Sequence, residues 1–555
     1  MKKFLFKSKW LWVLFFIFFL ISLATADDKT DKVDKLFDKW DSTVSPGAAL
    51  AIIKDGKILY KCGYGMANLE HNILITPTSV FRIGSTSKQF TASCIAILTL
   101  QGKISLDDDI RKYIPELPKY ERPITIRHLV HHTSGIRDYL TLADIAALTN
   151  DYFYTPEDTI ELLGRQKRLN FLPGKEHLYS NSGYFLMGVI VERVSGKSLN
   201  DFTQEHIFKP LGMKNTHFHD DHRMVVKNRA DGYSPLKKGF RIDMTTLDHV
   251  GDGGVFTTVE DLYLWDQAFY HNKLGKELME LIQTPGVLNN GEKIDYAFGL
   301  GIDDYKGIKR VSHGGGFAGF RAQMVRFPEQ KFSVVCLANL GTINASRLCM
   351  QIVDIYLAHE FKKEVKAPEK KIKAVTLTKE ELEEKAGNYQ DEKTGMWTII
   401  SMKEKDLVIG EGRREYVLSP VSKTSFRALD APYAISIDFL PGEKGGVGKA
   451  KLTIEGEEIN LVKAPKLKPL TPSQLKKYAG EYYNDELPVT YKLDVEKGSL
   501  VFKHKNAPKN ALKAMDRDKF TVGWFNIEFI RNKRKKITGF VVGAGRAANI
   551  EFIKK

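Results

Sequence analysis

Residues 81–90 read FRIGSTSKQF, an apolar run that changes into a helical pattern at Ser85. The helical pattern continues to Gln101-Gly102, where the glycine is typical of a helix C-terminus. Three positions apart on one helix, Ser85 and Lys88 lie on the same face and can touch. Burial lowers the pKa of a lysine amine, and a neutral Lys88 can then take the proton of the Ser85 hydroxyl. This stretch therefore predicts a nucleophilic serine beside a lysine base.

The Ser-x-x-Lys pattern is weak evidence alone, because it also occurs at residues 234–237 and 473–476. Both of those copies lie in polar, turn-like or linker surroundings, and we interpret them as chance matches. Ser85 differs because it follows a strand-like apolar segment and opens a helix of small residues.

Two later motifs add to this one. Tyr179-Ser-Asn181 supplies a tyrosine that can relay a proton to a leaving group, although Tyr-x-Asn also occurs at 270–272 and 482–484. The run 313–316 is His-Gly-Gly-Gly, directly before a strand-like segment. Glycines let a backbone approach a substrate, so an N–H here can serve an oxyanion hole. The same run is also typical of a flexible turn, and the residues alone leave both interpretations open.

The order of the three motifs is the specific signal. Ser85-x-x-Lys88, then Tyr179-x-Asn181, then His313-x-Gly315 resembles the penicillin-recognising serine hydrolases. That superfamily contains class C β-lactamases, low-molecular-weight penicillin-binding proteins, D-aminopeptidases and related esterases. The stretches HLVHHTSG (128–135) and GDGG (251–254) agree with the resemblance, and its histidines are expected to pack rather than to bind a metal.

The resemblance implies a role for each matched residue. The nucleophile, the base, the proton relay and a further catalytic histidine are Ser85, Lys88, Tyr179 and His313. Substrate contacts come from Asn181, Gly314 and Gly315, and the oxyanion lies between the backbone N–H groups of Ser85 and Gly316. The resemblance implies no metal and no cofactor.

Position 313 departs from the family's usual pattern, in which Lys-Thr-Gly stands where this chain has His-Gly-Gly. The missing lysine and threonine normally help to bind a substrate carboxylate. Imidazole is mostly neutral above pH ~6.5. We therefore expect substrates without a carboxylate beside the scissile bond, and poor hydrolysis of penicillins.

The first part of the chain predicts an α+β domain over residues 27–365. Apolar runs at 48–53 and 57–62, joined by Asp55-Gly56, predict a hairpin. Further strands are predicted at 320–327 and 332–338, followed by a helix near 347–361, and a capping box at Thr257-Thr258-Val259-Glu260 predicts a helix start. The resemblance implies an antiparallel sheet flanked by helices, with a helical subdomain.

The remainder predicts two small all-β domains after a linker at 366–376. Short alternating runs separated by Gly, Pro and charged turns are typical of barrels or sandwiches. A pattern beginning Leu377-Thr378 and ending Gly387-x-Tyr389 recurs, 93 residues later, from Leu470-Thr471 to Gly480-x-Tyr482. We therefore predict barrel-like domains at 377–466 and 470–555, which resemble the lipocalin-like barrels appended to D-aminopeptidases.

The first 26 residues are typical of a signal peptide. Four lysines among the first nine residues precede an apolar run at 10–23 and the small triplet Ala24-Thr25-Ala26. Cleavage would leave a mature chain from Asp27, periplasmic or secreted, with no stable transmembrane segment.

The charge and cysteine patterns exclude other classes. The formal net charge of +15 is spread along the chain without any nucleic-acid-binding motif, so no nucleic-acid partner is expected. The four cysteines lack metal-site spacing.

Three functional hypotheses remain. The first is an acyl-transfer hydrolase of D-residue peptides or of esters, acting on small molecules or on peptides that include peptidoglycan fragments. The second is a class C β-lactamase or a D-Ala-D-Ala carboxypeptidase. The third is a non-catalytic envelope binding protein, which is disfavoured because Ser85, Lys88 and Tyr179 are all present.

Overall fold

The structure is a computed structural model that describes residues 29–148, 155–361, 377–410, 415–428, 431, 435–442, 446–454, 457–504 and 507–555. The predicted signal peptide and linker lie outside these residues. Among the described helices, none combines the length and the apolar composition needed to cross a bilayer.

The first domain is built on a six-stranded antiparallel sheet in the order β10-β11-β12-β13-β1-β2. Its strands are β1 Ala48–Lys54, β2 Lys57–Tyr64, β10 Gly301–Tyr305, β11 Ile308–Phe317, β12 Phe320–Phe327 and β13 Phe332–Ala338. The first and last parts of this domain thus meet in one sheet. Asp55 and Gly56 both take positive φ in the tight turn between β1 and β2, which confirms the predicted hairpin.

Alternation along β1 explains why both faces of the sheet are covered. Ala49, Ala51 and Ile53 face one hydrophobic core, and Ala48, Leu50 and Ile52 face a second. Helix α9 packs on the first face, against β1 and β13, and α11 packs on the other, against β12 and β13. The predicted α+β class is confirmed.

The other elements of this domain are short strands and helices around that sheet. The strands are β3 Met66–Asn68, β4 Ile73–Leu74, β5 Phe81–Arg82, β6 His217–Phe218, β7 Tyr233–Pro235, β8 Phe240–Ile242 and β9 Val255–Thr257. The helices are α1 (29–35), α2 Lys88–Leu100, α3 Ile126–Val130, α4 Tyr139–Ile145, α5 Pro156–Gly164, α6 Asn181–Ser195, α7 Leu199–Thr203, α8 Lys209–Leu211, α9 Val259–His271, α10 Lys276–Leu281 and α11 Ala345–Leu357.

One predicted helix start is wrong by a residue. The N-cap of α9 is Thr258, whose hydroxyl accepts a hydrogen bond from the Asp261 N–H at 3.0 Å. Thr257 instead ends β9, and its hydroxyl pairs with that of Thr216. Two adjacent threonines both suit a cap, and the tertiary partner of Thr257 decides between them.

The rest of the described chain forms two β-barrels, as predicted. The first is closed by β14 Gly387–Asp391, β15 Trp397–Lys403, β16 Asp406–Ile409, β17 Tyr416–Pro420, β18 Ser425–Ala428, β19 Ile435–Pro441, β20 Val447–Ile454 and β21 Glu457–Lys463, after α12 Lys379–Glu383. The second is a nine-stranded, nearly closed sheet of β22 Gly480–Asn484, β23 Val489–Glu496, β24 Ser499–His504, β25 Ala507–Ala511, β26 Lys513–Asp516, β27 Lys519–Val522, β28 Phe525–Arg531, β29 Ile537–Ala544 and β30 Ala547–Lys554, after α13 Pro472–Lys476.

The residues of the sequence repeat lie at the start of each barrel. Thr378 and Thr471 each form a capping box at the start of α12 and α13. Tyr389 and Tyr482 are both fully buried, and each hydroxyl donates to a backbone carbonyl four residues earlier at 2.7 Å. The repeat therefore fixes a capped helical turn against the first strand of each barrel.

The two barrels differ in their relation to the first domain. Buried side chains of the second barrel belong to the same continuous hydrophobic core as α2, α4 and α6, whereas the first barrel has a core of its own. The second barrel and the first domain therefore share one hydrophobic core.

Candidate active site

Ser85 lies on a sharp turn between β5 and α2. A single 3₁₀ turn, Gly84–Ser87, joins the two elements, and Gly84 has a φ of +51° that favours glycine. The Ser87 hydroxyl donates to the Gly84 carbonyl at 2.7 Å and accepts from the Val255 N–H at 3.1 Å, which holds the turn against β9. Ser85 is partly exposed while its neighbours are buried. The turn therefore presents this hydroxyl to the cavity.

Lys88 lies fully buried under Ser85. Its Nζ donates to Ser85 Oγ at 3.2 Å, to Asn181 Oδ1 at 2.9 Å and to the Asp252 carbonyl at 2.5 Å. Burial lowers the pKa of Lys88 to about 8, although Asp252 and Asp138 oppose this decrease. About a tenth of the amine is therefore neutral at pH 7, far more than for an ordinary lysine.

Tyr179 packs beside these two residues. Its ring centroid lies 4.9 Å from Lys88 Nζ and 4.2 Å from the ring centroid of His132. Burial raises the pKa of the Tyr179 phenol, and the nearby Ser85 hydroxyl and Arg546 oppose the increase. Among the described residues, no group forms a hydrogen bond of ordinary geometry with the buried Tyr179 hydroxyl, although the Ser85 hydroxyl is near enough to lower its pKa.

Asn181 is the first residue of α6, and Asp138 fixes its position. The Asn181 N–H donates to Asp138 Oδ2 at 2.7 Å, and Asp138 also caps α4 by accepting from the Thr141 N–H. The Asn181 side chain is thereby aimed at Lys88. Asp138 was not predicted as a site residue, because an aspartate before a helix is ordinarily only a cap.

The glycines at 314–316 lie in strand β11, so the interpretation as a flexible turn is wrong. Beyond Ser312, β11 pairs only with β12, and its other edge lies against the Ser85 turn. A Cβ at Gly315 would lie 1.9 Å from the Ile83 carbonyl oxygen, and one at Gly84 would lie 2.7 Å from the Gly316 nitrogen. Glycine is therefore required for this approach of strand and turn.

His313 lies in the same strand, β11, and its imidazole is neutral. Its Nδ1 lies 2.6 Å from the Gly314 carbonyl, which can only accept, so Nδ1 carries the proton. Its Nε2 therefore accepts from the Tyr296 hydroxyl at 3.0 Å. Burial and the nearby Lys88 lower the pKa of His313 to about 4.

Asp252 and Arg82 are charged residues of the site whose roles were not predicted. Asp252 accepts a hydrogen bond from the Tyr139 hydroxyl at 3.1 Å, and burial raises its pKa against the effect of Lys88. Arg82 is buried with its guanidinium 5.3 Å from the Phe317 ring centroid. The GDGG stretch at 251–254 is the sequence signal that contains Asp252, although the residues alone give it no role.

These residues line one cavity of about 430 Å³. It contains Ser85, Tyr179, Asn181 and His313 together with Gly314, Gly315 and Gly316, so every predicted site residue except the underlying Lys88 lines it. Arg546 also lines it, although it comes from the second barrel. No local pattern in the sequence marks Arg546.

A possible metal-ligand group lies elsewhere. Asp221, His222 and Asp248 bring ligand atoms within 4.8 Å of one another. His222 Nδ1 already pairs with Asp248 at 2.9 Å, and an ordinary hydrogen bond accounts for the arrangement.

Comparison with known proteins gives a consistent result. The family model described as Beta-lactamase matches residues 33–348. Penicillin-binding protein 4* of Bacillus subtilis (strain 168) is 32% identical over 314 residues, which is 53% of this chain and 68% of that protein. A D-aminopeptidase of Brucella anthropi is 25% identical over 533 residues, which is 91% of this chain and 95% of that protein, so this similarity includes both barrels.

Among solved structures, an octameric penicillin-binding protein homologue from Pyrococcus abyssi is similar with a TM-score of 0.55 and 26% identity. The match covers 78% of this chain and 100% of that one.

Proposed function

This chain belongs to the beta-lactamase family of serine hydrolases. We propose that it hydrolyses short peptides and amides of D-amino acids through an acyl-enzyme on Ser85. The contact of 3.2 Å between Lys88 Nζ and Ser85 Oγ carries the proposal. A serine hydroxyl needs such a base to become a nucleophile.

In the first step, neutral Lys88 accepts the Ser85 proton while Oγ attacks the substrate carbonyl carbon. The carbonyl π electrons move to oxygen, and the resulting oxyanion accepts hydrogen bonds from the backbone N–H groups of Ser85 and Gly316. Rigid donors at this point stabilise the transition state without reorganisation. The requirement for glycine at 315 supports this assignment, because it brings β11 against the Ser85 turn.

In the second step, the intermediate collapses and the bond from carbon to the leaving nitrogen breaks. The proton held by Lys88 passes through the Tyr179 hydroxyl to that nitrogen, which leaves as an amine. The unpartnered Tyr179 hydroxyl supports this role, since it is free to exchange hydrogen bonds during the reaction.

In the third step, water loses a proton to the same base and attacks the acyl-ester carbonyl. The carbon–Oγ bond breaks, Ser85 regains a proton, and the carboxylic acid product leaves. Asn181 and the edge of β11 at Gly314 and Gly315 hold the substrate. The neutral imidazole of His313 lines the same cavity.

Similarity to a D-aminopeptidase over the full architecture supports the choice of D-residue substrates. The B. subtilis penicillin-binding protein matches over a smaller share of this chain. We also propose that the enzyme works outside the cytosol, on the signal-peptide pattern of residues 1–26. A mature N-terminus at Asp27 in protein recovered from a Gram-negative host would support export, and retention of residues 1–26 would contradict it.

The proposed function is tested with D-alanyl and L-alanyl p-nitroanilides, nitrocefin and a p-nitrophenyl ester, using wild type and Ser85→Ala. Wild type should prefer the D-alanyl anilide, and Ser85→Ala should lose activity by several orders of magnitude and lose its fluorophosphonate adduct in intact-mass spectra. Ser473→Ala, in the chance motif on exposed α13, is the matched control and should keep both. Faster hydrolysis of nitrocefin than of any D-alanyl substrate would replace this proposal with the β-lactamase hypothesis.

A further inference from the structure

The second barrel places the tip of one hairpin at the mouth of the active site. Strands β29 and β30 are joined by the two-residue turn Gly545-Arg546. The Arg546 carbonyl accepts from the Asp138 N–H at 3.1 Å and from Asn170 Nδ2 at 3.0 Å. Asp138 is the residue that also fixes the Asn181 backbone. The tip is therefore bonded to the framework of the site through its main chain.

A buried ion pair ties the second barrel to the first domain beside this hairpin. Arg137 Nη1 pairs with Glu486 of the second barrel at 2.5 Å, with side-chain exposures of 0% and 11%. Arg137 Nη2 also donates to the Asn549 carbonyl in β30 at 2.9 Å. The position of the hairpin tip is thus set by several buried contacts, none of which uses the Arg546 side chain.

The Arg546 guanidinium itself is available for a ligand. It is exposed, and its Cζ lies 4.6 Å from the ring centroid of Tyr179. Within the described part of the chain, no carboxylate forms an ion pair with it. A cation with five donors and no acceptor among the described residues therefore borders the cavity beside the proposed proton relay.

We propose that Arg546 forms a carboxylate-binding subsite, which selects D-peptides whose leaving group carries a free carboxylate. The inference rests on the proposed function, because Tyr179 is assigned there to the leaving group. An arginine guanidinium binds a carboxylate in a planar, bidentate geometry.

This subsite changes the expectation drawn from position 313. Position 313 in the glycine-rich strand lacks the lysine that is usual in the family, and His313 itself is neutral. The second barrel supplies a cation from another direction. The preferred substrate is then a short D-peptide with a free C-terminus, in contrast to a D-amino acid amide.

The test compares D-Ala-D-Ala with D-Ala-D-Ala-amide, which lacks the terminal charge. The rate measured is that of cleavage of the Ala–Ala bond that both share, because the terminal amide is itself a bond that the enzyme can hydrolyse. In wild type, kcat/KM should be higher for the acid. Arg546→Ala should lower the acid-to-amide ratio of kcat/KM about ten- to a hundred-fold, the size of one charge-assisted hydrogen bond. Arg546→Glu should invert the ratio. Arg534→Ala, on an exposed turn of the same barrel, should leave it unchanged.

An unchanged ratio in Arg546→Ala would overturn the inference while leaving the proposed function standing. If neither dipeptide is cleaved although Ser85 still reacts with a fluorophosphonate, the proposed function fails instead. The subsite is then decided with p-nitrophenyl acetate and 5-acetoxy-2-nitrobenzoate, whose leaving group carries a carboxylate. The quantity compared is kcat/KM for 5-acetoxy-2-nitrobenzoate divided by kcat/KM for p-nitrophenyl acetate. A fall of this ratio in Arg546→Ala supports the subsite, and an unchanged or higher ratio overturns it.

Discussion

Lys88 governs the pH dependence expected of this hydrolase. The base must be neutral, and the pKa of Lys88 is lowered to about 8. We expect kcat/KM for an uncharged nitrophenyl ester to rise tenfold per pH unit below 8 and to level off above it. An ester is chosen because the α-amino group of a D-alanyl substrate titrates in the same range.

The variant Arg546→Ala should move that inflection to higher pH, because a nearby positive charge that disfavours protonated Lys88 is removed. An inflection near pH 4 would identify His313 as the base instead, since its pKa is lowered to that region.

Tyr179→Phe separates catalysis from stability. Within the described chain, the Tyr179 hydroxyl is buried without a hydrogen bond of ordinary geometry, so its removal should leave the melting temperature unchanged or higher, while kcat falls about 10²- to 10⁴-fold. Tyr482→Phe is the matched control, from a chance Tyr-x-Asn motif. It removes a hydrogen bond to the Tyr478 carbonyl, and should cost about 1 kcal/mol of stability while kcat is retained. Loss of stability in Tyr179→Phe would contradict the relay.

At the level of single residues, the sequence predicts those site residues that lie close together in the chain or follow one another in a characteristic order. Ser85 and Lys88 are three positions apart, so their contact follows from helix geometry. Asp138 and Arg82 were missed, because a capping aspartate and a lone arginine look ordinary until their neighbours are known. The assignment of roles within the site stays a prediction that the variants above test.

The approach of strand β11 to the Ser85 turn is a property of two elements together. Gly315→Ala would place a Cβ 1.9 Å from the Ile83 carbonyl, so backbone must move. We expect a lower melting temperature and a fluorophosphonate labelling rate reduced at least tenfold, since a misplaced oxyanion donor costs 10²- to 10³-fold in related cases.

Gly543→Ala is the control for this prediction. It also lies within a strand, but among the described residues no atom beyond its own chain neighbours lies within 4 Å of an added Cβ. Its labelling rate should match wild type. A normal rate in Gly315→Ala would show that the glycine-rich strand does not position the oxyanion.

The elements themselves were largely predictable. Strands β12 and β13 have the predicted bounds, and Asp55-Gly56 forms the predicted turn, because these signals are local. The run 313–316 was ambiguous, because glycine has no side chain to give a strand its alternating pattern. Its strand conformation comes from pairing with β12.

The docking of the second barrel depends on a buried charge pair. Glu486→Ala leaves Arg137 buried and unpaired, which should lower the free energy of unfolding by about 3–5 kcal/mol and reduce the acid-to-amide ratio as Arg546→Ala does. Urea denaturation and the dipeptide assay measure the two effects.

Two controls accompany this change. Asp485→Asn removes the neighbouring ion pair with Lys167, whose side chains are 60% and 64% exposed, and should lower stability far less than Glu486→Ala does. The double variant Arg137→Met/Glu486→Leu should recover most of the lost stability, because no buried charge is left unpaired. Equal losses in Glu486→Ala and Asp485→Asn would contradict a structural role for the buried pair.

The arrangement of the whole molecule was the least predictable level. Two barrels follow from the repeat, but nothing in the sequence pairs residue 137 with residue 486. Such contacts depend on shape and charge at surfaces that are formed only after each domain has folded. The hydrolase domain and the second barrel consequently share one core that the linear pattern did not reveal.

The position of Arg546 in the chain also has a consequence in time. Ribosomes add roughly 5–20 residues per second, so Ser85 and Lys88 are synthesised between about twenty seconds and a minute and a half before Arg546. During that interval the growing chain contains its proposed nucleophile but lacks the arginine that borders the cavity in the folded protein. On the proposal above, the selectivity conferred by Arg546 becomes available only after the last strands of the second barrel have been made and Arg546 borders the cavity.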